Sequence, residues 1–402
     1  MKILHVNLSN RGGGIEQYLD LLFPELSRRG HNSVFIYGEH LSGPSCADHA
    51  ESHYIEGVAG MRGRGNPEKL KAVESILDAS RPDVAYIHQV LNPDLIRILA
   101  RSVPTVRYVH GFKLVCPEGK KMLRTAERHC PFELSLKCQI RAYRYKCMPR
   151  NPWLGIPLIS AAMRNRREHR QYSQMIVASE FMKKVLLYNG FNARQIAVCP
   201  YFTHERGTRE KIEEDVPIVL AMGRLVPAKG MHLLIEAFAG LDAKARLVII
   251  GDGPDMETLK AVAERNGLNG RETFLGWLDN EACRKWIDRS RVVVVPSIWP
   301  EPFGIVGIEA MASGKPVAAF DSGGISAWLV QGQTGYLVPT GDIAALKEKI
   351  RVLLRDPELA NEMGKNGFAY YREHFGPDVH LSVLLGIFRK TMEDTRETKS
   401  ET

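Results

Sequence analysis

In the stretch Pro296-Ser-Ile-Trp-Pro-Glu301-Pro-Phe303-Gly304-Ile305-Val-Gly-Ile-Glu309, two carboxylates stand eight positions apart. A run of valines, Val292 to Val295, precedes them and reads as a buried parallel strand. Pro296, Pro300 and Pro302 stop that strand and forbid helix until about Gly304. From there the pattern is helical to Ser313-Gly314. Glu301 is therefore expected in the loop at the strand's carboxyl end, and Glu309 inside the helix. The amides of Phe303, Gly304 and Ile305 would point from a helix N-terminus at the strand edge, which suits a phosphate. The helix is apolar nearly all round, so the Glu309 carboxylate needs a partner. Upstream, Arg224 leaves the strand Ile218–Met222 and Lys229 enters the next helix. A planar fork and a point charge five residues apart can converge on a diphosphate. Paired acids also serve glycoside hydrolysis, but Glu301 and Glu309 lie on one strand–helix unit beside a phosphate site.

The elements that must position these groups alternate along the chain. Strands are predicted at Ile3–Asn7, Val34–Tyr37, Val84–His88, Thr105–His110, Met175–Ala178 and Ile196–Cys199, with helices at Ile15–Arg29, about 68–79 and Ser179–Tyr188. Residues 111–157 break the rhythm as an irregular, cysteine-bearing basic insertion, followed by a basic helix over 158–171. A polar linker is predicted over 201–215, after which the rhythm restarts and continues to a helix at Ile343–Leu354. The expectation is an α/β chain of two doubly wound, Rossmann-like domains, 1–200 and 216–374. A helix over 375–392 and a disordered tail over 393–402 complete it.

With 402 residues, 44% hydrophobic and 25% charged, the composition is that of a globular protein. No apolar run reaches the roughly 18 residues a membrane span needs. The first strand is not followed by a signal-peptide apolar region, which points to a cytoplasmic chain. Seven cysteines in that setting argue against a disulfide scaffold. Charge is uneven: residues 107–170 carry fifteen Lys and Arg against four Glu, more than the whole chain's net +8. That local excess calls for an anionic partner on one face.

Gly223-Arg224-Leu-Val-Pro-Ala-Lys229-Gly230, Gly251-Asp-Gly-Pro254 and Glu301-Pro-Phe-Gly-Ile-Val-Gly-Ile-Glu309-Ala-Met-Ala resemble the motifs of the retaining GT-B glycosyltransferases of family 4. Gly13-Gly14-Ile-Glu16 and the strand-end His110 also fit, and the resemblance runs from Met1 to about Phe375. It implies two domains facing across a cleft, with acceptor specificity in the N-terminal domain and a nucleotide-diphosphate sugar as donor in the C-terminal one. Arg224 and Lys229 would hold the pyrophosphate in place of a divalent metal, so that no cofactor is required. Glu309 would bind ribose hydroxyls and Glu301 the donor sugar. Phe303, Gly304 and Ile305 would touch phosphate or sugar, and the backbone near Trp277 and Leu278 the base. Gly13 and Gly14 would approach the diphosphate, and His110 the sugar, with His88 a candidate on the acceptor side. The helix after Phe375 would return to the N-terminal domain. Where the family carries Gly-Gly-x-Pro-Glu, this chain has Gly323-Gly324-Ile325-Ser326-Ala327, without the Pro and Glu.

Two features remain. Cys116, Cys130, Cys138 and Cys147 supply four thiolates for a structural zinc, without a Cys-x-x-Cys knuckle; the alternative is small hydrophobes in an irregular segment. The basic helix mixes Leu158, Ile159 and Met163 with Arg164, Arg166, Arg167 and Arg170, suiting an anionic lipid surface. Its aromatics are not interleaved as a nucleic-acid platform requires. The resemblance implies a carbohydrate or lipid-linked acceptor in bacterial cell-surface polysaccharide or glycolipid synthesis, at the inner face of the membrane. The rival readings are a nucleotide-sugar epimerase or phosphorylase of the same fold, and a non-catalytic binding scaffold.

Overall fold

A computed structural model describes residues 1–43, 45–60, 66–126, 128–205, 215–241 and 244–400. In chain order the elements begin β1 (Lys2–Ser9), α1 (Gly14–Arg28), β2 (Asn32–Glu39), β3 (Glu51–Tyr54), α2 (Pro67–Ser80), β4 (Val84–Ile87), α3 (Pro93–Ser102) and β5 (Thr105–Tyr108). A short hairpin, β6 (Met122–Leu123) and β7 (Arg128–His129), precedes α4 (Lys137–Tyr145), α5 (Pro152–His169), β8 (Gln174–Val177), α6 (Glu180–Tyr188) and β9 (Ile196–Val198). Then come β10 (Ile218–Met222), α7 (Met231–Ala239), β11 (Arg246–Ile250), α8 (Met256–Arg265), β12 (Glu272–Phe274), α9 (Asn280–Arg289), β13 (Val292–Val295), α10 (Ile305–Ala312), β14 (Val317–Phe320) and β15 (Gly335–Val338). The chain closes with α11 (Ile343–Arg355), α12 (Pro357–His374) and α13 (Pro377–Ser400). No helix among the described residues is long and apolar enough to cross a membrane.

The chain divides into two compact units. The first holds Met1–Lys121, Pro131–Tyr201 and the chain from Pro377 on; the second holds Met122–Cys130 and Phe202–Gly376. The first is built on a sheet of order β3-β2-β1-β4-β5-β8-β9 and the second on β12-β11-β10-β13-β14-β15. Every pairing in both is parallel. Strands buried on both faces explain the unbroken apolar runs in β4 and β13, whose residues are all buried. In each unit the strand order reverses beside its first strand, at β1/β4 and at β10/β13, and such points open a crevice at the carboxyl edge.

Several expectations are corrected. The stretch 111–157 is not irregular throughout: it contains the β6–β7 hairpin, α4 and the start of α5. The basic helix begins at Pro152 rather than 158, because Asn151 caps it, its side chain accepting from the Trp153 amide at 3.0 Å. The same Asn- or Asp-Pro start marks α2, α3 and α12, and the last two are absent from the sequence reading. The strand β3 is also absent from that reading. The turn Gly323-Gly324 leads only to a single 3-10 turn, Ile325–Ala327. Helix α13 runs through Ser400, where disorder was expected from Glu393. The predicted linker falls largely on 206–214, and part of the glycine-rich loop before α2 on 61–65, outside the described residues.

The core of the first unit carries a layer of tyrosines and histidines. His380 of α13 donates Nδ1–H to the Pro200 carbonyl at 2.6 Å, so its Nε2 accepts from the Tyr18 hydroxyl at 2.8 Å. Tyr86 then donates to Tyr18 at 3.1 Å. Phe388 of α13 packs edge-on against Tyr86, with ring centroids 5.0 Å apart. His88 and His110 share a proton between Nδ1 and Nε2 at 3.1 Å, and His5 stacks on His88. On the other face of β5, Arg107 lies buried with Nε and Nη1 bonded to no described residue, and the side-chain polar atoms of His169 and Tyr172 are likewise buried without a bond to one.

Burial holds these histidines neutral. It lowers His5 to about 3 and His380 to about 4. Burial, then the Arg107 charge, pushes His110 and His169 well below the usual range; for His88 burial is followed by His110. The unfolded chain takes up protons near pH 6.5 that the folded chain refuses. Stability is therefore lost as pH falls below about 6.5, by up to about 1.4 kcal/mol per pH unit for each histidine. Thermal melts from pH 7.5 to 5 should show a falling midpoint below pH 6.5; a flat profile contradicts the assignment. A second prediction concerns α10, where a Cβ on Gly307 would overlap the buried Trp328 ring. Gly307→Ala should destabilise by about 2 kcal/mol in urea unfolding.

Candidate active site

The loops at the carboxyl edge of the second sheet carry Arg224, Lys229, Trp277, Leu278 and Glu301, while Glu309 lies on α10. Gly223-Arg224 follows β10, Gly251–Pro254 follows β11, Gly276–Leu278 follows β12, Pro296–Glu301 follows β13, and Gly323-Gly324 follows β14. These loops rest on one another's backbones. A Cβ on Gly230, which has φ 65°, would overlap the Pro296 carbonyl oxygen. A Cβ on Gly251, at φ 138°, would overlap that of Gly223. Only glycine combines these conformations with so close an approach. The Ala228 carbonyl accepts from the amides of Ile298 and Trp299 at 3.1 and 2.9 Å, stitching the loop after β10 to the loop after β13. The Gly251 amide donates to Gly276 at 2.8 Å and so adds the loop after β12.

At the stitched point the Lys229 ammonium meets Glu301 Oε1 at 2.6 Å. The carboxylate is nearly buried, with 6% of its side chain exposed, while the lysine keeps 28%. Lys229 also lies over the Trp299 ring, 5.3 Å from its centroid. Sequence reasoning assigned these two residues to different parts of a ligand and missed that they pair. No described residue bonds the other oxygen, Oε2, leaving it available to accept from a ligand hydroxyl. The Arg224 side chain is exposed and makes no hydrogen bond or ion pair with a described residue. The pair carries no net charge of its own, and Arg224 adds a cation to an edge that also bears Asp252 after β11 and Asp321 after β14.

Glu301 is fixed by its backbone. Its carbonyl accepts from the Gly324 amide at 2.6 Å, and Gly323, at φ 69°, leaves no room for a Cβ against it. Gly323 and Gly324 thus keep their positioning role although the following Pro and Glu are absent. Helix α10 starts at Gly304, φ 92°, and its first amides, at Ile305 and Val306, have no intrahelical carbonyl to bond. Trp328, absent from the sequence reading, donates Nε1–H to the Phe303 carbonyl at 2.6 Å and fixes where α10 begins. Phe303 is buried and Glu309 half-buried. Trp277 is 64% exposed at the edge, beside the half-buried Leu278.

In the first unit, Glu16 organises the loop after β1. It accepts from Asn7 Nδ2, the Ser9 hydroxyl and the Gly13 amide, each at 2.8 Å. In this loop Gly12 has the positive φ, 143°, whereas Gly13 is extended, and Gly13 and Gly14 are exposed. His110 is committed on both sides, with Nδ1 to the Tyr201 hydroxyl at 2.5 Å and Nε2 to His88 at 3.1 Å. His88 itself is buried.

For the clustered cysteines, the packing of Cys138 and Cys147 supports the alternative reading, small hydrophobes in this segment. Among the described residues no three His, Cys, Asp or Glu side chains are grouped to hold a metal ion. Cys130 belongs to the second unit, and Cys116, Cys138 and Cys147 to the first. Cys138 and Cys147 instead pack on a small apolar cluster formed by Leu134, Ala142, Met148, Ile159 and Ala162.

Comparison with known proteins shows the family to which these units belong. The family model of group 1 glycosyl transferases matches residues 205–370, and that of glycosyltransferase family 4 matches 12–203. An alpha-D-kanosaminyltransferase of Streptomyces kanamyceticus is 33% identical over 180 residues, which are 44% of this chain and 46% of that protein. The chain thus spans about half the length of such relatives. Sucrose-phosphate synthase from Thermosynechococcus elongatus superposes with TM-score 0.74 at 21% identity, over 98% of this chain and 99% of that one. HepE of Anabaena, in complex with UDP, superposes with TM-score 0.70 at 20% identity over all of both chains. Two parallel-sheet units, each matched along nearly its whole length by a glycosyltransferase model, place this chain in the family 4 (group 1) glycosyltransferases of the GT-B fold.

Proposed function

We propose that the chain transfers a hexosyl or related sugar from a nucleotide-diphosphate donor to a hydroxyl acceptor, with retention at the anomeric carbon. The observation that carries this reading is the Lys229–Glu301 pair at the strand-order reversal, with the exposed Arg224 on the same loop as Lys229. As the bond between sugar and diphosphate breaks, its electron pair collects on the departing phosphate oxygens. Arg224, Lys229 and the first amides of α10 are the groups proposed to stabilise that charge, the task a divalent cation performs elsewhere. In this reading Glu301 does two things: Oε1 aims Lys229 and Oε2 accepts from a donor-sugar hydroxyl. Glu309 grips the ribose, and the loop bearing Trp277 and Leu278 borders the base. Phe303, Gly304 and Ile305 contact phosphate or sugar through the backbone.

His110 is proposed as a positioning group rather than a proton shuttle, because burial keeps it neutral and both nitrogens are engaged. Gly13 and Gly14 are proposed to contact the donor through their backbone amides. HepE, bound to UDP, supports the donor class, and the transferases among the relatives support a carbohydrate or lipid-linked acceptor in polysaccharide or glycolipid synthesis.

The test is a thermal-shift screen against nucleoside diphosphates and their sugars, followed by release of free diphosphate with and without chelator. Turnover should persist in chelator, and the product anomer, read by proton NMR coupling, should match the donor's. Lys229→Ala should lower kcat/KM by about 10²- to 10³-fold. Glu301→Gln should lower kcat, whereas Glu309→Ala should raise the donor KM about tenfold with little change in kcat. The opposite split between the two acids would reverse their roles, and inactivity across a donor panel with intact nucleotide binding would overturn the enzyme reading.

A further inference from the structure

Helix α5 has two contrasting sides. Gly155, Ile159 and Ala162 face inward and are buried. On the outer side Trp153, Ile156, Ser160, Met163, Arg164 and Arg167 recur at helical spacing, and all are exposed. That stripe is apolar at its N-terminal end and cationic at its C-terminal end. Trp153 is 87% exposed, next to Leu154 at 59%. Helix α4 and the residue before it add Ile140, 73% exposed, and Leu136, 62% exposed. So many large apolar groups left in water on adjoining helices mark a binding surface.

The charge around the patch selects the partner. Residues 131–170 hold nine Lys and Arg against two Glu, one of which, Glu168, is buried. Beyond Trp153 the stripe opens into a cavity of about 650 Å³ whose lining includes Met163, Arg164, Arg166, Arg167 and Arg170 and one acid, Glu168, which pairs with Arg97 at 3.4 Å. Arg166 and Arg170 are tethered to the carbonyls of Asn189 and Gly190. The side chains of Arg164 and Arg167 bond to no described residue. A second copy of the chain packing patch to patch would bring like charges together, which opposes a symmetric dimer. A surface with apolar depth behind a layer of phosphates satisfies both halves of the stripe.

We propose that α4 and α5 form a docking face for an anionic phospholipid bilayer. Trp153 and Leu154 enter the interface, and the cavity at Arg164 and Arg167 holds headgroup phosphate. The sequence places lipid contact on residues 158–171; the structure moves the inserted part to the N-terminal end of α5 and shows Ile159 buried. Docking of this kind stands apart from the transferase reading and does not depend on it.

Co-sedimentation of the full chain with vesicles tests it. The chain should pellet with phosphatidylcholine vesicles containing about one-third phosphatidylglycerol at about 0.1 M salt, not with phosphatidylcholine alone, and be released at about 0.5 M. Trp153→Ser with Leu154→Ser should lower the partition coefficient about tenfold. Arg164→Ser with Arg167→Ser should lower it similarly and flatten its dependence on salt. Thermal shifts with nucleotides should be unchanged in both variants, which separates loss of docking from loss of fold or of donor binding. Wild type remaining in the supernatant, or variants pelleting like wild type, would overturn the proposal. So would a dimer seen by light scattering that Trp153→Ser abolishes without any vesicle binding.

Discussion

The second unit depends on how closely two loops approach where its strand order reverses. The loop after β10 and the loop after β13 meet backbone to backbone, with the Ala228 carbonyl serving two amides across the divide and Gly230 lying against the Pro296 carbonyl. Nothing larger than hydrogen fits at that contact. Because the loops are locked together, Lys229 and Glu301, 72 residues apart in sequence, form an ion pair whose geometry owes little to their own flexible side chains. The desolvation of a nearly buried carboxylate is offset by that ammonium and by the polar edge around it. The cost of preparing the edge is thus met in folding, before any ligand arrives.

Much of this was legible because the signals were local and obligatory. Valine runs bounded by proline and glycine gave the parallel strands of the second unit, since a strand buried on both faces has no alternation to confuse the reading. Gly230 and Gly251 were legible only as motif residues, and the close approach each allows to a neighbouring carbonyl appeared with the structure. What sequence could not give was pairing across long separations. Glu16 bracing the loop after β1 is a local exception, readable as a glutamate three residues after a helix cap. Trp328 on Phe303 is not local, and its only trace was a glycine inside a helix, Gly307, where a side chain should have been.

The elements missed were those whose start signal outweighs their periodicity. Helices α3 and α12 each open with Asn- or Asp-Pro, a cap followed by a residue already fixed in helical φ, yet their apolar spacing alone did not announce them. The segment 111–157 misled for a different reason. Its cysteines and cations suggested a metal-knit loop, whereas local helix formation in α4 was enough to order much of it, with Cys138 and Cys147 acting as small apolar groups. The histidines at the carboxyl ends of β4 and β5 were read as ligand groups. Burial turned them into an uncharged layer linking the sheet to its surroundings.

The return of α13 to the first unit has a consequence for how the protein is made. The second unit is an insertion within the first: its chain, Phe202–Gly376, is complete before Pro377 is synthesised. The first unit cannot close at that moment. Tyr18 and Pro200 still lack His380, and Tyr86 lacks Phe388. On a ribosome moving about 5–20 residues per second, the domain translated first is therefore the last to be finished. It waits with an open aromatic layer while its guest folds, and α13 then seals the host.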